Sequence, residues 1–100
     1  MVKHIVVWRL KPHAEGADKA TNARLMKERL EAMRGKIPGL RSVEVGINYN
    51  DTPAAFDVAL YCELDSRDAL DAYQSHPAHL HAVEFISRVR DQRIVVDYDA

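Results

Sequence analysis

Apolar residues in this chain recur at every second position in some stretches and at every third or fourth in others. The order of those stretches restricts the fold more than any single residue does. From Val2 to Leu10, Val2, His4, Val6, Trp8 and Leu10 alternate with Lys3, Ile5, Val7 and Arg9, which is the period of a strand with apolar residues on both faces. Met26, Leu30, Met33 and Ile37 then recur at helical spacing, with Asp18 or Thr21 as the cap and an exit at Gly35 before the Pro38-Gly39 turn. Val43, Val45 and Ile47 restore the two-residue period, and Phe56, Val58, Leu60, Cys62 and Leu64 repeat it after the turn residues Asn50 to Pro53. A short helix with Ala69, Leu70 and Tyr73 starts after Asp65 or Ser66. A second helical segment with Leu80, Val83 and Ile86 restarts at Pro77, and Arg93 to Tyr98 reads as the last strand.

The resulting order, β-α-β-β-α-β, is that of an α+β ferredoxin-like sandwich in which helices cover one face of a four-stranded antiparallel sheet. The other face would leave apolar residues of the first strand in water, so a two-fold homodimer that pairs the two open faces is expected. Residues 1–100 fit one domain, because a chain of this length supports one core and not two.

Composition narrows the partners. Fourteen Lys and Arg against fifteen Asp and Glu leave a net charge of -1, which gives no electrostatic reason to bind nucleic acid. No apolar run is long enough for a membrane helix. Cys62 is the only cysteine, which excludes an intrachain disulfide and a cysteine-based zinc site and fits a reducing compartment. With no secretory signal pattern at the start, a cytoplasmic location is expected. The four glycines stand singly, so no dinucleotide fingerprint or phosphate loop is available, and no cofactor is expected.

The chemistry concentrates in Tyr73-Gln74-Ser75-His76-Pro77-Ala78-His79. Pro77 suits the first position of a helix, which makes His76 the cap and places His79 in the first turn. There the positive end of the helix dipole favours a neutral imidazole, the form that can accept a proton. Tyr73 could then donate a hydrogen bond to a developing enolate oxygen. The plainer reading keeps His79 as a solvated helix-end residue and Tyr73 as a core phenol. His4 and Trp8 share one face of the first strand, where they either line a ligand pocket or pack as ordinary core. His76, His79 and His81 have poor geometry for a metal ion, and none is expected.

The starting Val2-Lys3-His4-Ile5-Val6, the Ile37-Pro38-Gly39 and Val45-Gly46 pairs, Tyr73 with His76-Pro77-Ala78-His79, and the terminal Val96-Asp97-Tyr98 together resemble the stress-responsive dimeric α/β-barrel (Dabb) family over nearly the whole chain. The resemblance implies a ferredoxin-like monomer whose dimer closes two sheets into a barrel. It also implies a comparison with plant polyketide cyclases of that family, which close a ring by cofactor-free aldol-type chemistry. Their acid/base pair corresponds to Tyr73 and His79, with His4 lining the same cavity. The expected function is therefore binding of a hydrophobic, carbonyl-bearing small molecule, with polyketide cyclase-like proton transfer if the protein is an enzyme. Two alternatives accompany it: a stress-response structural or assembly protein whose barrel is filled by side chains, and a cofactor-independent monooxygenase of the wider dimeric α/β-barrel group.

Overall fold

A computed structural model describes residues 1–100. Strand β1 (Val2–Leu10) is followed by a two-rung hairpin, β2 (His13–Ala14) and β3 (Ala17–Asp18), and by helix α1 (Lys19–Glu31). Strands β4 (Leu40–Ile47) and β5 (Val58–Leu64) come next, then helices α2 (Arg67–Ser75) and α3 (Pro77–Val89) and strand β6 (Arg90–Asp99). The main sheet runs β4-β5-β1-β6 with every neighbouring pair antiparallel. This is the expected ferredoxin-like α+β fold, with the second helical region divided at His76 into α2 and α3.

The alternation along β1 is realised residue by residue: Val2, His4, Val6, Trp8 and Leu10 are buried under the helices, while the intervening residues face the open side. Cross-strand register sets Cys62 and Asp97 beside His4, Leu60 and Val95 beside Val6, and Val58 and Arg93 beside Trp8. Met26 and Leu30 from α1, Leu70 and Tyr73 from α2, and Phe85, Ile86 and Val89 from α3 complete the core.

Three boundaries differ from the sequence expectation. Helix α1 ends at Glu31 and tightens into turns in which Met33 N–H donates to Leu30 O and Arg34 N–H to Glu31 O, both at 3.1 Å. Met33 and Ile37 therefore reach the core from turns, not from the helix stripe. Phe56 lies ahead of β5. Asp57 occupies the strand entrance, its N–H donating to Trp8 O at 2.8 Å and its carboxylate accepting from Leu10 N–H at 2.8 Å. Strand β6 starts at Arg90 because pairing with β1 extends along its whole length, Leu10 lying opposite Arg90.

One turn depends on glycine for space as well as for its backbone angle. Gly39 adopts φ +82°, and a Cβ there would lie 2.8 Å from Ala69 Cβ, so the β4 entrance packs against α2 at a distance only hydrogen allows. No helix is long and apolar enough to cross a membrane.

Candidate functional site

Helix capping fixes the local geometry of the site. Ser66 Oγ accepts from Ala69 N–H at 3.1 Å and starts α2. Ten residues on, His76 takes an extended backbone, φ -69° and ψ 139°, as the residue before a proline prefers. Its Nδ1 accepts from Ala78 N–H at 3.0 Å, satisfying one of the free donors at the start of α3, and Pro77 fills the first helical position. His76 is thus the cap the sequence suggested. His81 is exposed and His13 lies on the small hairpin, so neither forms a metal-holding group with His79.

The change of direction at His76 carries His79 back over α2. His79 Nδ1 lies 3.0 Å from the carbonyl oxygen of Gln74. A carbonyl can only accept, so Nδ1 carries the hydrogen and Nε2 keeps its lone pair. The His79 pKa is lowered from 6.5, mainly because burial disfavours the imidazolium; the Gln74 bond opposes this, and the nearby His4 and Arg93 charges add to the lowering. The ring is therefore neutral, with a fixed tautomer, near neutral pH.

Tyr73 is fully buried between two imidazoles, its ring centre 4.5 Å from that of His79 and 5.7 Å from that of His4. Its hydroxyl meets Cys62 Sγ at 3.9 Å, with the thiol as donor. Burial raises both acids, the thiol to about 11 and the phenol well above its ordinary value, so both stay protonated. His4 is buried, and its Nδ1 bonds to the carboxylate of Asp97 on β6, which answers the question of where its ring finds a polar partner.

A cavity of about 300 Å³ lies between the sheet and helices α1 and α3. Its floor is His4, Val6, Trp8 and Leu60, and Leu30 and His79 stand over it. Val83, Ser87 and Arg93 are exposed and mark its mouth. The structure thus brings together three of the four residues singled out in the sequence: His79, His4 and Trp8 share the wall, while Tyr73 touches both imidazoles without itself lining the space. Arg90, Arg93 and Ser87 were missed. Arg93 alternates with Val95 and Asp97, so the period-two pattern carried the signal, but only the register with Trp8 places it on the helix-covered face.

A larger hollow of about 610 Å³ lies on the opposite, open face of the sheet, among Val7, Ile47, Tyr49, Phe56, Ala59 and Ile94. Tyr49 is the only titratable group on its wall, whereas two histidines and two arginines line the smaller cavity.

A ferredoxin-like sandwich with a histidine-walled cavity between sheet and helices defines the class. The stress responsive A/B barrel domain family matches residues 2–100, and the chain belongs to that family. An uncharacterised protein of Streptomyces coelicolor is 31% identical over 99 residues, covering 99% of each chain. A dimeric protein of unknown function and ferredoxin-like fold from Bacteroides fragilis superposes with a TM-score of 0.86 at 35% identity, covering 99% of this chain and 95% of that one. Hydroxynitrile lyase from Passiflora edulis shares the fold at 18% identity, with a TM-score of 0.76 over 97% of this chain and 90% of its own.

Proposed function

We propose that this protein is a cytoplasmic homodimer that binds an apolar, carbonyl-bearing small molecule between sheet and helices and moves a proton on it without a cofactor. The observation that carries this reading is His79: a neutral imidazole at the wall of a cavity, with Nδ1 committed to Gln74 and Nε2 free to accept. The cavity volume lies at the lower end of the range that small-molecule sites occupy, and most of the wall is apolar. A barrel filled only by side chains gains no support from such a space.

In the proposed reaction, His79 Nε2 removes a proton from the carbon next to a carbonyl, and the electron pair passes to the carbonyl oxygen as an enolate. The enolate carbon then adds to a second carbonyl of the same molecule, closing a ring, and the new alkoxide takes the proton back from the His79 imidazolium. Nothing is consumed, so no co-reactant is needed. Tyr73 is the proposed electrophilic partner. Burial keeps the phenol protonated and its ring packs against that of His79, so it holds a hydrogen to donate to an enolate oxygen that reaches it.

The test is turnover of a panel of linear β-polyketones by the native protein and by His79→Ala. Loss of about 10²–10⁴-fold in rate with an unchanged sedimentation profile is the expected result, matching the contribution of a positioned general base. Equal rates would remove His79 from the mechanism.

A further inference from the structure

The polar groups of the cavity share one character. Arg90 and Arg93 line it, together with Ser87 and the two histidines, and its wall contains no aspartate or glutamate. Seven of the nine arginine side chains have a partner. Arg41, Arg67 and Arg88 are paired with carboxylates, Arg24 with a hydroxyl, Arg34 with a carbonyl, and Arg9 and Arg29 lie over aromatic rings. The two without any such partner are Arg90 and Arg93. Trp8 adds an independent observation: it forms part of the same wall, is only 4% exposed, and its buried Nε1–H finds no acceptor. A buried donor without an acceptor costs stability, and a ligand oxygen is the group that would relieve it.

We infer that the cavity is built for an apolar molecule carrying a carboxylate, whose head is held by Arg93 and Arg90 at the mouth and by the Trp8 indole N–H inside. This rests on the binding reading above and adds the chemical class of the ligand. Guanidinium groups match a carboxylate with paired N–H donors, and the indole offers a further donor that no protein group accepts from. The apolar remainder of the ligand lies against Val6, Leu30, Leu60 and Ile86. The charge at the mouth is felt within: Arg93 contributes, after burial, to the lowering of the His79 pKa.

Octanoate and octanamide separate the head group from the tail, since they share a chain and nearly a volume and differ in charge. Calorimetric titration of the native protein near neutral pH and low salt should show octanoate binding at least about tenfold tighter than octanamide, as a charge-assisted hydrogen bond warrants. Arg90→Gln with Arg93→Gln should reduce that preference to within about twofold, and Trp8→Phe, which deletes the N–H but keeps an aromatic ring, should lower it in part. Far-UV circular dichroism checks that each variant is folded. Equal binding of the two probes by the native protein overturns the head-group assignment while leaving the cavity as a binding site. A preference that survives the double substitution also overturns it, by moving the anion elsewhere. Binding of neither probe removes the binding reading and this inference with it.

Discussion

His76 and His79 stand three positions apart and have unlike roles, because one precedes a proline and the other lies in the helical turn that the proline starts. His76 spends its Nδ1 on the helix start, whereas His79 keeps Nε2 free. The lowered pKa of His79 makes a stability prediction with a definite sign. The folded state binds the proton less readily than the unfolded chain, so the neutral ring's advantage is fully present above pH 6.5 and is lost as pH falls from 6.5 toward the lower folded value. The melting temperature should therefore decline with acidification below about pH 6.5, and His79→Gln, which cannot protonate, should flatten that decline; identical slopes would show that other groups dominate. Part of this was legible: the proline identified the cap, but the helix dipole was the reason expected for a neutral His79, and burial is its main cause. The partner of the Tyr73 hydroxyl was not, since Cys62 reaches it from a separate strand.

Elements show the same division between local and distant causes. Asp18 caps α1 by accepting from Thr21 N–H at 2.9 Å, and Ser66 caps α2, each being one of two candidates that residue type and position offered. The buried Met33 and Ile37 continued the helical spacing past the end of α1, so periodicity found core residues but overran the helix. Strand β6 is the opposite case. Residues Asp91 to Asp99 are exposed in the monomer, and the early start at Arg90 follows from its pairing with β1. The contact between the β4 entrance and α2 makes a second prediction. Gly39→Ala introduces a left-handed alanine and a Cβ against Ala69, which together should cost about 2–4 kcal/mol and lower the melting temperature by more than about 10 °C. Thermal unfolding followed by circular dichroism measures it, and a drop of only a degree or two would mean that α2 shifts freely.

For the whole molecule, the consequential surface is the open face of the sheet. Ile94, Val96 and Tyr98 are each about half exposed there, next to Val7, Ile5 and Lys3 in register, and the hollow around Tyr49 continues the patch. A second copy related by a two-fold axis covers such a surface with its own equivalent, so one substitution acts twice. Sedimentation should show a dimer at micromolar concentration and a folded monomer for Val96→Lys, because that side chain already meets water in a single copy and its replacement leaves the core intact. A native protein that sediments as a monomer would defeat the proposed assembly. Alternation along β1 made this face visible in the sequence, whereas the cationic mouth of the cavity was not, because Arg93 joins it through register alone.

The bond from His4 to Asp97 joins positions 93 residues apart, and the cavity beside it depends on the same pairing of β1 with β6. A nascent chain holds His4, Trp8 and Leu30 long before Arg93 and Asp97 have left the ribosome, so no fragment of it owns a finished site. Occupancy is consequently linked to unfolding of the entire molecule and not to fraying of one part. A ligand present at a hundred times its dissociation constant would add about 2.7 kcal/mol to global stability. Amide hydrogen exchange would then slow in β1 and β6 together.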